Sequence, residues 1–357
     1  MTTYEPGAVL EVAVVGYSLG GATFHAPFIN STPGMRLAAI VTRDPERRAK
    51  AQSDYPHVRV VDTVDDLWSL ESRIDLVAIS SPSGTHFTLA KTVLEHGASV
   101  VVDKPFAASV AEAREVADLA VAHGTLAIPF QNRRWDGDFL TVQRLLREGT
   151  LGVVHRYESR FDRWRLTQKP RWCVKGAQSR AEGIVYDIGS HLVDQALVLF
   201  GPAASVYAEA DWRHPDVRVE DDAFIALTHV NGVRSHLYMT SIAAQPSLRM
   251  GVWGSRGAYI KHGLDGQEPA LIAGVRPGDA GWGEEPPELW GAVGLGADAR
   301  PIRTELGAYE RFYAGVADAV LRGAPSPVTV GEAMASLTVI QAALLSAREG
   351  RVVPMPS

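Results

Sequence analysis

The sequence is poor in cysteine, with a single one, Cys173, among 357 residues. One cysteine excludes an intramolecular disulfide and a structural zinc site built on cysteine ligands. We predict no metal site elsewhere in the chain. This cysteine usage is typical of proteins in a reducing compartment, so we expect a cytoplasmic location.

The chain also lacks a strong charge bias and a long apolar run. Its formal net charge is −6, which argues against nucleic acid and anionic membranes as partners. No apolar run reaches the length of roughly 18 residues that is required to span a bilayer. The first residues lack the basic and apolar regions of a signal peptide. With 46% hydrophobic residues, the composition is that of an ordinary globular protein with a sizeable core.

The length and the first third of the sequence predict an α/β domain followed by a second domain. A chain of 357 residues exceeds the size of about 250–300 residues at which single cores stop growing. Apolar runs with strand character alternate with short helical patterns as far as Phe130, which predicts a doubly wound parallel sheet over residues 1–130. After the opening strand at Val12, the predicted strands are Arg36–Val41, Val58–Val61, Ile74–Ser80, Ser99–Val102 and Leu126–Phe130.

The pattern changes after Phe130, where long extended stretches follow one another without intervening long helices. This change predicts, over residues 131–329, an α+β domain with an open, mostly antiparallel sheet. Segment Gly263–Arg303 has no clear period and is predicted to be a lid or an interface arm. The other predicted elements are the helix Phe139–Glu148, the strand Val153–Asp162, the helix Ile184–Phe200 and the closing helices Leu306–Arg322 and Gly331–Glu349.

The stretch Val12–Ile29 runs from an apolar strand through a glycine-rich turn into a helical pattern. This order is typical of a dinucleotide-binding unit, whose turn presents backbone N–H groups to a pyrophosphate. Gly16 would form the tight turn, Gly21 would let the helix pack on the strand, and Ser18 would donate to a phosphate. The alternative is a glycine turn between core elements that binds nothing. The predicted cofactor-binding residues of the turn are Gly16, Tyr17, Ser18, Leu19, Gly20 and Gly21.

The end of the second predicted strand bears on the choice between NAD and NADP. A carboxylate about 20 residues after the turn binds the ribose 2′-hydroxyl of NAD, whereas an arginine suits the 2′-phosphate of NADP. The strand ends at Thr42 and Arg43, and Asp44 is predicted to cap the next helix at D-P-E. The sequence therefore favours NADP, with NAD still possible and a solvated surface cation as the alternative role of Arg43.

The end of the fourth predicted strand carries S-S-P-S-G-T-H, from Ser80 to His86. Ligands of open α/β sheets lie beyond the carboxyl ends of the strands, so this loop is predicted to line the cofactor site. His86 could stack on the dinucleotide or only occupy the first turn of its helix, and the sequence does not separate the two. The predicted cofactor-binding residues here are Ser80, Ser81, Pro82, Ser83 and His86.

The fifth predicted strand leads directly into D-K-P at Asp103, Lys104 and Pro105. A lysine at the end of a buried strand is partly desolvated, which lowers its pKa toward the range of a general acid or base. A nearby carboxylate would raise the pKa again. The alternative is a lysine whose side chain extends from the strand end into solvent.

Together, four motifs resemble the glucose–fructose oxidoreductase/inositol dehydrogenase (Gfo/Idh/MocA) family over nearly the whole chain. They are G-Y-S-L-G-G with F-H-A-P-F-I, S-S-P-S-G-T-H, V-D-K-P, and Y-D-I-G-S-H at Tyr186–His191. The further motifs N-R-R-W at Asn132–Trp135 and F-D-R-W-R at Phe161–Arg165 are most similar to the NADP-dependent scyllo-inositol dehydrogenase-like branch.

The resemblance implies three catalytic residues. Lys104 matches the family's lysine that assists proton transfer at the substrate hydroxyl. Asp187 would hold a substrate hydroxyl or orient the catalytic pair, and His191 would exchange the proton as hydride moves to or from the nicotinamide. Their four-residue spacing puts Asp187 and His191 on one face of the predicted helix. A histidine is suited to proton transfer near pH 7.

The resemblance also implies binding residues and an assembly. The strands after Ser205 would form a homodimer or homotetramer, and the closing segment 330–357 would pack back on the nucleotide-binding domain. Asp103 stands where the family more often has glutamate, which shortens its carboxylate contact. The remaining predicted cofactor-binding residues are Asp103, Lys104, Asn132 and Arg133. The predicted substrate-binding residues are Arg160, Asp162, Trp164, Asp187 and His191.

These expectations define an NADP-dependent oxidoreductase that interconverts a secondary hydroxyl of a sugar or cyclitol with its ketone. Several of the predicted polar contacts could instead be salt bridges between domains. The alternatives are a non-catalytic dinucleotide-binding regulator and a biliverdin-reductase-like enzyme. The Lys104, Asp187 and His191 set argues against the regulator, and an aromatic-lined site would favour the biliverdin-reductase-like activity.

Overall fold

A computed structural model of the chain describes residue 5 and residues 7–165, 167–169, 181–245 and 247–356. Cys173, on which the redox expectation depends, lies outside these residues. The contacts divide the chain into two compact units. The first comprises Met1–Gln131, Glu268–Ala280 and Tyr309–Met334, and the second comprises Asn132–Gln267, Gly281–Ala308 and Ala335–Ser357. Each unit is therefore built from three separate segments, unlike the contiguous domains 1–130, 131–329 and 330–357 that the sequence predicted.

The strands and helices are numbered in chain order. The strands are β1 (Leu10–Val15), β2 (Met35–Val41), β3 (Arg59–Val61), β4 (Leu76–Ile79), β5 (Ser99–Val102), β6 (Ala127–Pro129), β7 (Val154–Asp162), β8 (Ala203–Asp211), β9 (Asp222–His229), β10 (Arg234–Thr240), β11 (Leu248–Gly254), β12 (Gly257–His262), β13 (Ala292–Gly294), β14 (Arg300–Pro301) and β15 (Val353–Pro354). The α-helices are α1 (Ala26–Ser31), α2 (Pro45–Asp54), α3 (His86–Glu95), α4 (Val110–Ala122), α5 (Gly137–Arg147), α6 (Ser190–Phe200), α7 (Gln267–Ile272), α8 (Glu310–Arg322) and α9 (Val330–Glu349).

The first unit contains a six-stranded parallel sheet in the order β3-β2-β1-β4-β5-β6. All four residues of β4 and of β5 are buried, as expected for parallel strands covered on both faces. The strand order changes direction between β1 and β4, and ligands of doubly wound sheets bind beyond the carboxyl ends at this switch point. This confirms the predicted parallel doubly wound sheet.

The second unit contains a nine-stranded sheet in the order β14-β13-β12-β11-β7-β10-β9-β8-β15. The β7–β10 pair is parallel, and the other pairs are antiparallel. This confirms the predicted open, mostly antiparallel sheet.

The two faces of this sheet differ, because side chains alternate along each strand. On β7, Tyr157 is buried and its ring lies 5.4 Å from that of Phe200 in α6. On the opposite face, the Arg160 guanidinium lies 3.7 Å from the ring centre of Tyr238. One face of the sheet is therefore covered by α6, and the other carries partly exposed charged and aromatic side chains.

Segment Gly263–Arg303 is more regular than its composition suggests. It contains α7, and its strands β13 and β14 extend the nine-stranded sheet beyond β12. Part of it, Glu268–Ala280, belongs to the first unit. These strands carry no side-chain period that would mark them in the sequence, because they are organised by backbone pairing. A role of the segment as a lid or an interface arm stays a prediction.

The closing helix α9 has the length and hydropathy of a membrane span, but one of its faces is packed inside the protein. Leu337, Ile340 and Ala343 are buried. The Ser346 hydroxyl accepts the Ala208 N–H at 2.9 Å, and β15 pairs with β8. From Ala335 onward the closing segment therefore packs on the second unit's sheet, which corrects the expectation that it packs on the nucleotide-binding domain.

Candidate active site

The turn after β1 requires glycine at two positions. Gly16 has φ +90°, a conformation that side chains disfavour, and a Cβ there would lie 2.6 Å from the Ser80 carbonyl oxygen. A Cβ at Gly21 would lie 1.9 Å from the Gly16 carbonyl oxygen. Both glycines therefore have the structural basis predicted for them, and the turn is compatible with the close backbone approach of a pyrophosphate.

The tip of the turn precedes a π-helical turn, Gly20–His25, that continues into α1. A Cβ at Gly20 would lie 2.3 Å from the Ser80 hydroxyl, so this position has no room for a side chain beside the β4 loop. Leu19 is exposed and Ser18 is half-buried. The backbone of this tip remains the predicted phosphate contact.

Tyr17 is buried and donates its hydroxyl to the Asp54 carboxylate at 2.6 Å. Burial, followed by the hydrogen bond to Asp54, raises the pKa of the Tyr17 phenol above its usual value. The phenol is therefore engaged with α2, and a cofactor contact by Tyr17 would have to use its backbone.

Two charged residues with different roles follow β2: Asp44 caps a helix, and Arg43 is an exposed cation. The Asp44 carboxylate accepts two backbone N–H groups in the first turn of α2, each at 3.0 Å, which confirms the predicted cap. Thr42 is buried, whereas Arg43 is exposed and donates from Nε to the Asp62 carbonyl at 3.3 Å. Because Asp44 is occupied by the helix, its carboxylate is poorly available to a ribose hydroxyl.

The loop that follows β4, residues 80–85, is held by His86, which is buried at the start of α3. One ring nitrogen, Nδ1, lies 2.9 Å from the Pro105 carbonyl oxygen, and Nε2 lies 2.9 Å from the Ser81 carbonyl oxygen. These contacts favour a structural role in the first helical turn over stacking on a cofactor. The other predicted residues of this loop have mixed exposure: Ser80 is buried, Ser81 and Ser83 are half-buried, and Pro82 is exposed.

The end of β5 presents Lys104 from a tightly bonded turn. The Asp103 carboxylate accepts the Lys104 backbone N–H at 2.7 Å and the Ser80 hydroxyl at 3.1 Å. Lys104 itself is half-buried, and its bond to Pro105 is cis. Asp103 thus ties together the two strand ends, β4 and β5, that flank the predicted cofactor position.

Asp103 is an anion held by its neighbours. Burial raises the pKa of its carboxyl, but the interaction with His25, followed by the charges of Lys104 and His86, outweighs it and brings the pKa to about 2. His25 is fully buried in the π-helical turn, with Nε2 at 3.7 Å from the carboxylate. The sequence analysis missed His25, although a polar residue in the apolar F-H-A-P pattern was visible.

In the second unit, Asp187 and His191 lie on successive helical segments. Asp187 belongs to a π-helical turn, Val185–Gly189, and His191 to the first turn of α6, where it is buried. The predicted single helix is therefore interrupted in its hydrogen-bond pattern. Lys169 forms an ion pair with the Asp187 carboxylate. Lys169 was not among the predicted site residues, although it lies four residues after the F-D-R-W-R motif.

The three predicted substrate residues on the β7 segment do not share one environment with His191. Arg160 and Asp162 lie on the sheet face opposite α6, where Asp162 accepts the backbone N–H of Ser247 at 3.3 Å. Trp164 is exposed just after the strand. This corrects the expectation that Arg160 and Asp162 face the same ligand as His191, since strand alternation directs them to the other side.

Asn132 and Arg133 belong to a short 3₁₀ turn, Asn132–Trp135, and both are buried. The Arg133 guanidinium lies 4.8 Å from the ring centre of Phe161 and donates to the Asp136 carboxylate at 3.5 Å. The side chain is therefore engaged in the second unit, and its predicted contact with the cofactor stays a prediction.

A buried charge cluster in the second unit escaped the sequence analysis. The Arg249 guanidinium lies 3.1 Å from the Asp138 carboxylate and 3.9 Å from that of Asp136, with all three side chains almost fully buried. Burial, followed by the charges of Asp265 and Asp138 on the raising side, lifts the pKa of Asp136 well above its usual value, although Arg133 and Arg249 oppose the shift.

Two sequence profiles cover most of the chain. The oxidoreductase family profile with an NAD-binding Rossmann fold matches residues 10–130. The GFO/IDH/MocA C-terminal domain profile matches residues 139–260.

Individual relatives match over nearly the full length. The oxidoreductase YdgJ of Escherichia coli (strain K12) is 39% identical over 95% of this chain and 96% of its own. The scyllo-inositol 2-dehydrogenase (NADP(+)) IolW of Bacillus subtilis (strain 168) is 32% identical over 96% of this chain and 95% of its own. The solved structure of the oxidoreductase YvaA from Bacillus subtilis has a TM-score of 0.91 at 31% identity, covering 99% of this chain and 100% of that one. The chain belongs to the GFO/IDH/MocA family, and it is an oxidoreductase with an NAD(P)-binding Rossmann domain.

Proposed function

We propose that this oxidoreductase uses NADP to interconvert a secondary hydroxyl of a sugar or cyclitol with its ketone. The observation that carries the proposal is the end of β5, where Lys104 follows a buried strand beside the glycine turn and is anchored through Asp103. A relative that is 32% identical is named as an NADP-dependent scyllo-inositol dehydrogenase, which supports a polyhydroxylated substrate.

The preference for NADP rests on the end of β2. Arg43 is an exposed cation at the position where the adenosine ribose is expected, and Asp44 is occupied as the cap of α2. An arginine suits a 2′-phosphate, while a carboxylate is required for the paired 2′- and 3′-hydroxyls of NAD.

In the proposed reaction NADP, held at the glycine turn of Gly16–Gly21 and at Arg43, would supply the hydride chemistry. The Lys104 ammonium group holds the substrate oxygen and stabilises negative charge on it. Asp187 accepts a hydrogen bond from a substrate hydroxyl, and its ion pair with Lys169 limits the orientations of its carboxylate. His191 takes the hydroxyl proton during oxidation and returns it during reduction.

The cofactor assignment is tested by titrating the fluorescence of NADPH and NADH with the wild type and Arg43→Ala. We expect tighter binding of NADPH, and a loss of about tenfold in its affinity in the variant, with NADH nearly unaffected. Arg73→Ala is the matched control. It removes an exposed arginine just before β4, at the amino-terminal end of the strands and away from Arg43. Equal wild-type affinities for the two cofactors would exclude the NADP assignment.

The reaction is tested by following NADP reduction with scyllo-inositol and a panel of sugars. We expect Lys104→Ala to lower kcat by at least about 100-fold, the scale of general acid–base catalysis, while the Kd of NADPH changes by less than a few-fold. Lys50→Ala, in which an exposed lysine of α2 is removed, controls for loss of surface charge. Turnover retained in Lys104→Ala would remove this lysine from the mechanism.

We further propose self-association through the sheet face that carries Arg160, Phe224 and Tyr238. The rings of Phe224 and Tyr238 lie 4.7 Å apart on this face, which combines aromatic and charged groups in the manner of a protein interface. Light scattering of the wild type and Tyr238→Asp tests this. We expect an oligomeric wild type and a smaller Tyr238→Asp species. A monomeric wild type would contradict the proposal.

A further inference from the structure

Behind Asp103 lies a buried chain of polar groups that the proposed reaction does not use. The Tyr313 hydroxyl lies 2.6 Å from His25 Nδ1, and His25 Nε2 lies 3.7 Å from the Asp103 carboxylate. Tyr313 and His25 are both fully buried. The chain links α8, the π-helical turn after β1 and the end of β5, all within the first unit.

The order of donors along this chain fixes the proton on His25. Burial, followed by the charge of Asp103, raises the pKa of the Tyr313 phenol well above its usual value, so the phenol keeps its proton and can donate it to Nδ1. A neutral imidazole that accepts at Nδ1 carries its hydrogen on Nε2. An imidazolium would carry a hydrogen there as well. In either state His25 points an N–H at the carboxylate.

The series of polar groups from Asp103 to Tyr313 ends among aromatic side chains. The ring of Phe130 lies 4.3 Å from that of His25, and Phe312 lies 4.8 Å from Phe130 and 5.2 Å from Tyr313. These side chains are buried. A proton that reached Tyr313 would therefore find no solvent beyond it, so the arrangement is suited to holding a hydrogen-bond direction and not to conducting protons.

We propose that His25, held at Nδ1 by Tyr313, is a positioning residue that holds the Asp103 carboxylate and, through it, the backbone of Lys104. The two carboxylate oxygens are divided between these tasks: Oδ1 accepts the Lys104 N–H, while Oδ2 accepts the Ser80 hydroxyl and faces His25. The inference rests on the proposed role of Lys104 in catalysis.

The physical need for His25 follows from the burial of Asp103. The carboxylate side chain is only 21% exposed, and a mostly buried anion requires donors on each oxygen. Without His25, one oxygen would keep the Ser80 hydroxyl alone. The carboxylate would then take up a proton or rotate toward solvent, and in both cases its hydrogen bond from the Lys104 N–H would weaken.

The first arm of the test is ¹⁵N NMR of the histidine rings in the full-length protein, with His25 assigned by its absence from His25→Gln. We expect a hydrogen on Nε2 in the wild type, as the neutral Nε2-protonated ring or the imidazolium, and a displaced Nδ1 resonance in Tyr313→Phe, which removes the partner of Nδ1. Tyr309→Phe is the matched control, because Tyr309 lies one turn earlier and packs on Phe24 and Phe28. An Nδ1-protonated neutral ring in the wild type would overturn the inference.

The second arm is kinetic, with scyllo-inositol and NADP as the probe reaction. We expect His25→Leu to lower kcat by about 10- to 100-fold, the scale seen when an orienting outer partner is lost, while the KM of scyllo-inositol and the Kd of NADPH change by less than about threefold. His25→Gln, which keeps an N–H near the position of Nε2, should recover most of the loss. Equal losses in the Leu and Gln variants would overturn the positioning role.

A double variant separates positioning from a general loss of structure. If His25 acts only through Asp103, then His25→Leu in an Asp103→Asn background should lower kcat by less than about twofold beyond Asp103→Asn alone. Independent, multiplying losses would contradict the inference. Absence of turnover with every polyol would contradict the proposed function instead, and the tautomer of His25 would still decide this inference.

Discussion

Asp103 in the first unit is mostly buried and Asp136 in the second is fully buried, yet their pKa values move in opposite directions. The Asp103 pKa falls to about 2, whereas that of Asp136 rises well above its usual value. Burial raises both pKa values, because desolvation penalises the charged form. The difference must therefore come from the neighbours.

The neighbours differ in sign and in hydrogen bonding. Asp103 accepts the Lys104 N–H at 2.7 Å and the Ser80 hydroxyl at 3.1 Å, and it faces His25. Asp136 has two arginines at 3.5 and 3.9 Å, but the charges of Asp138 and Asp265 oppose its ionisation. Short, directed hydrogen bonds thus keep Asp103 ionised, whereas neighbouring buried carboxyls favour a proton on Asp136.

The largest expected effect comes from removing Arg249, one of the two arginines of the buried charge cluster. Arg249→Met should lower the free energy of unfolding by about 3–5 kcal/mol, because it leaves buried carboxylates without their partner. Arg249 is 3% exposed and also donates to the Ser159 hydroxyl at 2.6 Å. Urea unfolding at pH 7 measures the change.

Arg213→Met is the matched control for Arg249→Met. Arg213 pairs with Asp211 and Asp222, but all three side chains are at least one-third exposed, and surface pairs contribute about 0–1 kcal/mol. Equal losses in the two variants would show that burial does not distinguish these ion pairs.

The next effect concerns Asp103, whose folded-state pKa lies below its unfolded value of 3.8. Its ionised form therefore adds stability above pH 3.8 that is lost as the pH falls toward 2. Asp103→Asn should lower the free energy of unfolding by about 2.5 kcal/mol at pH 7, because the pKa of Asp103 falls from 3.8 to about 2 on folding. Urea midpoints measured between pH 7 and pH 3 should show that the stability difference between the wild type and Asp103→Asn becomes smaller below pH 4. A constant difference would mean that Asp103 is not held as an anion.

The same contrast explains what could be predicted from the sequence. The parallel sheet was predictable because β4 and β5 are buried on both faces and are therefore continuous apolar runs. The cap at Asp44 was predictable because D-P-E is a local signal. Such features depend on neighbours in the chain, and the motifs at Lys104 and Asp187 identified the family in the same way.

Features that depend on distant partners could not be predicted. The Tyr313–His25 bond joins residues 288 positions apart, and no local pattern marks such a pair. The side of the sheet that Arg160 faces depends on the position of α6, which alternation alone does not give. Strands β13 and β14 have only three and two residues; β13 arises from pairing with β12, and β14 from pairing with β13. In each case the missing information is a tertiary contact.

The smallest effect, and the one that completes the contrast, is expected for Asp136→Asn. The folded-state pKa of Asp136 lies above its unfolded value of 3.8, so the folded protein binds this proton more tightly than the unfolded chain. Wild-type stability therefore falls as the pH rises from 3.8 to the folded-state pKa. The amide removes that loss, so the variant should equal the wild type near pH 4 and exceed it by about 1 kcal/mol at pH 8, the scale of one satisfied hydrogen bond. Urea unfolding at both pH values measures this, with Asp103→Asn expected to show the opposite sign. If Asp136→Asn instead destabilises the protein at pH 8, the arginines outweigh the neighbouring carboxyls and Asp136 is an anion like Asp103.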